Sequence, residues 1–299
     1  MRVGYIGLGL MGKSIARNIL KAGFELTVHN RSQGAVMELV AEGAQAAGSP
    51  SEVAERSEVV FTNLPDTPDV ESVVLGEKGI IHGGGQGLIV VDNSTIRPEA
   101  ARRIAEALRG RSMSFLDAPV SGGDVGAREA TLTIMVGGEA APLEAVRPVL
   151  EAMGKTITHV GGSGAGQVAK ACNQIMTAAQ MTAMGELLLL AQKSGVDPQR
   201  VVEAIRGGAA QCWTLDVKPA RLFRGDRSPG FKAHMMHKDL MIVLDTARSY
   251  GMPLPSTAVN TQLFASMLEL GMAELDNSAV IAVLERLAGV ELEAGRPAA

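Results

Sequence analysis

Aromatic residues make up only 3% of the 299 residues, and tryptophan occurs once, at Trp213. That scarcity argues against a nucleic-acid reader built on stacking platforms. Positive charge is not in excess either. Lys and Arg number 28 against 32 Asp and Glu, a formal net charge of −4. No global field draws in DNA, RNA or an anionic membrane, so neither nucleic acid nor membrane is expected as a partner. A small anionic substrate would need a local cationic pocket. There are two cysteines, Cys172 and Cys212, too far apart for a C-x-x-C pair. A disulfide framework is not expected, and a reducing cytosol fits. Cys172 lies in a small-residue helical stretch and reads as a buried filler. Long apolar runs are missing too. The run at Leu187–Leu190 is far too short to span a bilayer. Met1-Arg2 leads straight into a strand-like VGYIGLG, with no signal peptide, so a cytoplasmic protein is expected. What is abundant is small and aliphatic: the hydrophobic fraction is 46%, with 35 Gly and 15 Met. That suits tight helix–sheet packing with Met filling irregular gaps.

The first half alternates strand and helix signals. Strands are expected at Val3–Ile6, Leu26–His29, Val59–Leu64 (closed by Pro65), Leu88–Asp92 and Phe115–Ala118. Helices are expected over Lys13–Lys21, about Gln33–Glu42 and Pro98–Arg109. Strands about thirty residues apart with helices between them imply parallel βαβ units. Thr131–Val136 reads as a later edge strand and Ile157–Val160 as a final short one. Composition shifts at the glycine-rich stretch 161–166, after which strand signals stop. Gln167 to about Ser194 reads as one long helix, apolar nearly all round and therefore deeply buried. Further helices are expected at Pro198–Ile205, Phe231–Tyr250, Pro255–Leu270 and Ala279–Leu287, with a frayed tail from Glu291 to Ala299. The fold class is α/β: a doubly wound Rossmann domain over 1–162, then an all-helical domain over 163–299 that begins with the long helix.

Gly7-Leu8-Gly9-Leu10-Met11-Gly12 fits G-x-G-x-x-G between a strand and a helix. Gly7 permits the tight turn, Gly9 lets the backbone approach a pyrophosphate, and Gly12 lets helix and strand pack closely. The phosphates would sit at the helix N-terminus, where free N–H groups and the helix dipole favour anions. Leu10 and Met11, together with Leu64 and Pro65 after the strand at 59–64, are assigned to the cofactor's surroundings. An acidic residue at the end of the second strand would hold the ribose of NAD. This chain has His29-Asn30-Arg31-Ser32 instead. Arg31, helped by Asn30 and Ser32, can pair with a 2′-phosphate. That favours NADP(H), with NAD(H) use left open. No metal is called for.

Asp117-Ala118-Pro119-Val120-Ser121-Gly122-Gly123 follows a strand. Ser121 offers a hydroxyl, and Gly122 and Gly123 offer N–H groups in a nest able to hold a carboxylate; a plain connecting loop fits the same residues. Lys170 lies in the long apolar helix, with Asn173 and Gln174 one turn on. Its charge is costly to bury unpaired, so it is either a proton-transfer group or a lysine that snorkels to the surface. Thr95, after Asp92-Asn93-Ser94, is placed to reach the nicotinamide ribose. Lys238 either closes over the cofactor or belongs to a solvated helix face.

Four segments together resemble the β-hydroxyacid dehydrogenase family: GLGLMGKSIARNILKAG at 7–23, DAPVSGGDVGAREATLTIMVGG at 117–138, GAGQVAKACNQ at 164–174 and PGFKAHMMHKDL at 229–240. The resemblance implies a Rossmann domain, an interdomain helix and a helical domain that commonly forms dimers or tetramers. It implies Lys170 as the catalytic lysine and Ser121, Gly122 and Gly123 as the substrate-carboxylate loop. Thr95, Phe231 and Lys238 match positions that touch the cofactor or close the cleft. The resemblance also implies substrate-binding roles for Asn173 and Gln174; the family usually carries Asn-Asn there, and Gln174 keeps the amide on a side chain one methylene longer. Trp213 falls where family members line the substrate pocket, although a core position is favoured slightly.

The expected reaction is reversible hydride transfer between the nicotinamide and a short 3-hydroxyacid, semialdehyde or 2-ketoacid such as glyoxylate, with Lys170 as general acid and base. An imine reductase would usually carry Asp or Tyr at position 170, and a non-catalytic nucleotide sensor would be expected to lack the lysine.

Overall fold

The computed structural model describes residues 1–293. The chain divides into two compact units, Met1–Lys170 and a second beginning at Ala171. The first is α/β. Its elements run β1 (Arg2–Ile6), α1 (Gly12–Lys21), β2 (Glu25–His29), α2 (Gln33–Ala41), β3 (Gln45–Ala46), α3 (Pro50–Glu55), β4 (Val59–Thr62), α4 (Thr67–Leu75), α5 (Ile80–Gly83), β5 (Ile89–Asp92), α6 (Pro98–Arg109), β6 (Ser114–Asp117), β7 (Val120–Ser121), α7 (Gly123–Arg128), β8 (Leu132–Gly137), α8 (Ala140–Glu151) and β9 (Gly154–Gly161). The long α9 (Ala165–Lys193) starts in this unit and continues into the second.

Among the described residues these strands form one nine-stranded sheet in the order β3-β2-β1-β4-β5-β6-β8-β7, with β9 also paired to β8. The pairs from β3 through β6 are all parallel. This is the doubly wound Rossmann order, in which the chain switches direction beside β1 and ligands bind at the carboxyl ends of the strands. Central strands buried on both faces read as unbroken apolar runs, and β4 is fully buried. Two apolar layers result. One, containing Tyr5, Ile15, Val28 and Phe61, includes α1 residues; the other, containing Val53, Val90 and Ile104, includes residues of α3 and α6. Prolines in the first turns of α3, α4 and α6 start those helices where no intrahelical N–H is lost.

β8 is not an edge strand, contrary to its sequence. It pairs antiparallel with β6 and β7 and parallel with β9. The extra pairing comes from a β9 of eight residues, longer than the short strand expected at Ile157–Val160. The helix α8 between them has no counterpart in the sequence reading.

The second unit is helical: α10 (Pro198–Ile205), α11 (Trp213–Phe223), α12 (Ala233–Ser249), α13 (Pro255–Glu269), a 3-10 turn at Asn277–Val280 and α14 (Ile281–Ala288). Its core joins Met181, Met184 and Leu188 of α9 to Met236, Leu240, Phe264 and Ile281. Three expectations are corrected. α9 is not buried all round: Met176 is 59% and Leu190 70% exposed. Cys172 lies on the exposed side, so it is no core filler. Trp213 is 56% exposed and not core, with Lys218 Nζ 5.7 Å from its ring centroid. The tail is pinned as far as it is described. The Leu292 N–H donates to Glu285 Oε1 at 2.8 Å, Glu293 N–H donates to Gln192 Oε1 at 2.8 Å, and Leu292 is buried. The rest of the expected frayed segment, 294–299, lies outside the described residues.

Candidate active site

In the α/β unit the glycine loop leaves β1 at Gly7, whose φ of +98° is a conformation side chains resist. A Cβ on Gly7 would fall 2.3 Å from Asn63 O, and one on Gly12 only 2.0 Å from Gly7 O. Both glycines are therefore required by packing. A Cβ on Gly9 meets nothing within 4 Å, so packing alone does not require glycine there. The α1 N-terminus has no side-chain cap and no acidic residue in its first turn, which leaves its free N–H groups to an anion. Leu10 is exposed, and Met11 packs partly on the core. This cradle fits a dinucleotide phosphate.

Asn30 braces the loop. Its Oδ1 accepts from Leu8 N–H at 3.0 Å, and its Nδ2 donates to Ser32 O at 3.0 Å and Ser32 Oγ at 2.8 Å. Arg31, between them, is exposed. Leu64 N–H donates to Ser94 Oγ at 2.8 Å, and the adjoining Pro65 is exposed.

At the ends of β5 and β6 stand two buried carboxylates. Asp92 Oδ1 accepts from Thr62 Oγ1 (2.7 Å), Ser94 Oγ (2.6 Å) and Ser94 N (3.2 Å), tying the strand ends together. Thr95 follows, half-buried. Asp117 Oδ1 accepts from Gly164 N at 2.7 Å and its Oδ2 from Gln167 N at 2.9 Å. Burial pushes the Asp117 carboxyl up to about 6, against the two backbone N–H groups that pull it down. Beyond β6, Gly122 (φ +133°) and Gly123 (φ +62°) both take positive φ beside half-buried Ser121, and α7 opens there without a side-chain cap. Lys170 is 6% exposed, and its Nζ donates to Val120 O at 2.8 Å. It does not snorkel; it stands beside the Ser121 loop.

In the helical unit a chain of contacts runs through four side chains. Asn173 Nδ2 donates to Gln174 Oε1 at 2.7 Å, and Gln174 Nε2 donates to Asp239 Oδ2 at 2.6 Å. Lys238 Nζ lies 2.9 Å from Asp239 Oδ1. Lys238 thus pairs with its own neighbour and is not part of a fully solvated face. Phe231 is held by its backbone: its N–H donates to Asp276 Oδ2 at 3.3 Å, Gly230 N–H donates to the same oxygen at 2.9 Å, and Asn277 N–H donates to Phe231 O at 2.8 Å. Asp276 also pairs with buried Lys218 at 2.7 Å. Burial lowers the Lys218 ammonium. Burial raises the Asp276 carboxyl, but Lys218 and its other donors outweigh this and lower it overall.

Polar side chains with no role in the sequence reading are Asp92, Asp117 and Gln167 in the α/β unit and Lys218, Asp239 and Asp276 in the helical unit. For Gln167 a signal existed, since a polar residue three positions before Lys170 on an apolar helix shares its face. Asp276, distant in sequence from the loop it holds, gave none.

Residues 2–161 match the NAD binding domain of 6-phosphogluconate dehydrogenase, and residues 164–284 match the family described as NAD-binding of NADP-dependent 3-hydroxyisobutyrate dehydrogenase. The chain is 42% identical over 293 residues to the 2-hydroxy-3-oxopropionate reductase of Escherichia coli K12, covering 98% of this chain and 100% of that protein. It is 40% identical over 287 residues to an NAD-dependent L-serine dehydrogenase of Pseudomonas aeruginosa, covering 93% and 96%. A Mycobacterium tuberculosis 3-hydroxyisobutyrate dehydrogenase solved with L-serine superposes with a TM-score of 0.86 at 33% identity, covering 95% of this chain and 99% of that one.

Proposed function

Because the chain belongs to the β-hydroxyacid dehydrogenase family and is an NAD(P)-dependent oxidoreductase, we propose that it reversibly reduces a short aldehyde- or keto-acid, with Lys170 as general acid and base. The observation that carries this reading is the buried Lys170 Nζ on Val120 O, next to Ser121. The lysine amine is buried beside a loop whose backbone is suited to a carboxylate. A nicotinamide cofactor, when bound at the Gly7–Gly12 loop, would supply or accept the hydride. The chain's own residues do the rest. Ser121 and the N–H groups of Gly122 and Gly123 hold the substrate carboxylate. As ammonium, Lys170 donates from Nζ to the carbonyl oxygen while that oxygen gains charge; in oxidation, neutral Lys170 takes the hydroxyl proton. Asn173 and Gln174, on the next turn of α9, orient the substrate. Phe231 and Lys238 are assigned to the cofactor on resemblance alone.

The substrate class we favour is the semialdehyde in the name of the Escherichia coli relative, 2-hydroxy-3-oxopropionate. NADP(H) is the preferred cofactor in this reading, because Arg31 is exposed where an acidic residue would repel a 2′-phosphate. A homodimer or homotetramer in a reducing cytoplasm completes it. Both cysteines are unpaired, and no described helix is long and apolar enough to cross a membrane.

The test is a steady-state panel of glyoxylate, succinic semialdehyde, 2-hydroxy-3-oxopropionate, methylmalonate semialdehyde and 3-hydroxyacids, each with NADPH and NADH. Wild type and Lys170→Ala are compared. Loss of general acid–base catalysis is worth about 10²–10⁴ in rate, so K170A should lose turnover while its NADPH Kd stays within about twofold, since Lys170 is not assigned to the cofactor. Turnover retained in K170A would overturn the role.

A further inference from the structure

Gln167 is 1% exposed, and its backbone N–H and both ends of its side-chain amide are engaged. Its backbone N–H donates to Asp117 Oδ2 at 2.9 Å. Its side-chain Oε1 accepts from Ile96 N–H at 3.1 Å, and its Nε2 donates to Ser94 O at 2.8 Å. Ser94 and Ile96 are the two residues that flank Thr95. One amide therefore grips the peptide groups on both sides of the residue assigned to the nicotinamide ribose. Three residues further along α9, on the same face, Lys170 reaches Val120 O. The backbone beneath is equally constrained: a Cβ on Gly166 would come within 2.4 Å of Asp117 O and 2.5 Å of Met135 O.

We propose that Gln167 is a positioning residue that holds the Thr95 loop in register with Lys170. The proposal rests on the hydride-transfer reading above. A flexible side chain fixed at both ends cannot move without stranding a buried donor or acceptor. Gln167 thus transmits the placement of the first α9 turn to the loop, so that cofactor contact and proton donor are set by one helix. A plain packing role would need only the volume of the side chain, not its two hydrogen-bonding ends.

Gln167→Met keeps the volume and removes both hydrogen bonds. With NADPH and the faster of glyoxylate or 2-hydroxy-3-oxopropionate, we expect kcat to fall about tenfold, as for misplacement of a reacting group. KM for the acid should stay within about twofold, because Ser121–Gly123 is untouched. The decisive readout is a double-mutant cycle. Thr95→Ala should weaken NADPH binding in the wild type but add little in Q167M, measured as an NADPH dissociation constant independent of turnover. Ser121→Ala should add fully to Q167M in KM. Additive T95A and Q167M effects, or an unchanged kcat in Q167M, would overturn the proposal. If Q167M does not fold, Gln167→Asn, which keeps the amide but withdraws it by one methylene, carries the same cycle. A K170A protein that still turns over would instead sink the catalytic reading while leaving the NADPH cycle interpretable.

Discussion

At the scale of single residues, the cofactor end is decided by side chains that are spoken for and side chains that are not. Asn30 is engaged at both ends of its amide in bracing Leu8 and Ser32, so its task is to shape the turn. The charge in that turn is Arg31, exposed. A charge-assisted contact to a 2′-phosphate is worth roughly 1.5–3 kcal/mol. Arg31→Ala is therefore expected to raise the KM for NADPH by about ten- to a hundredfold and to leave that for NADH nearly unchanged. Comparing the two cofactors in parallel steady-state assays checks this, and an equal rise in both would show that Arg31 serves the fold of the turn instead. The glycine loop was readable in the sequence because Gly7 and Gly12 are required by close approach, as the 2.0 Å clash at Gly12 shows. Trp213 and Cys172 were misread because residue type speaks for burial only on average, and both sit on exposed helix positions.

Among the elements, the start of α9 carries the most consequence. The Gly164 N–H just before it and the Gln167 N–H in its first turn are met by the carboxylate of Asp117 at the end of β6, 47 residues from Gly164 in sequence. The Asp117 carboxyl is raised to about 6 in the folded protein, chiefly by burial. A carboxyl raised above its unfolded value favours the folded state most when protonated, so this group's contribution is present below about pH 4 and is lost as pH rises through about 6. Asp117→Asn should remove that sloping component. Denaturation midpoints of the wild type and D117N, measured between pH 4 and 7, should converge toward the acid end and diverge toward pH 7, with D117N relatively more stable there. The opposite order would mean that the N–H donors outweigh burial. The strands that begin βαβ units were legible because they are buried on both faces and closed by turn residues. The helix α8 was not, because Ala-Pro-Leu-Glu and an internal Pro148 hide its periodicity. The clasps at Asp117 and Asp276 were hidden for a different reason: both join segments that are far apart in the chain and carry no local pattern.

For the whole molecule, the proposed homodimer or homotetramer can be tested on the exposed side of α9. Cys172, Met176, Ala183 and Leu190 recur down one side of α9 at near-heptad spacing. Leu190→Glu should lower the solution mass from dimer or tetramer toward monomer by light scattering behind size exclusion. A wild type that runs as a monomer at micromolar concentration would remove the oligomer from the reading. The division of the chain inside α9, between Lys170 and Ala171, bears on recombination as well. With Gly137 and Gly166 held so close to Asp117 that a Cβ on either would overlap neighbouring atoms, the opening two turns of α9 are moulded to the sheet they rest on. A chimera that borrows the helical unit of a relative would therefore cross over after Lys170, keeping the host's own 164–170. A junction at the glycine-rich stretch, where composition alone would put the cut, would separate the clasp from its partner.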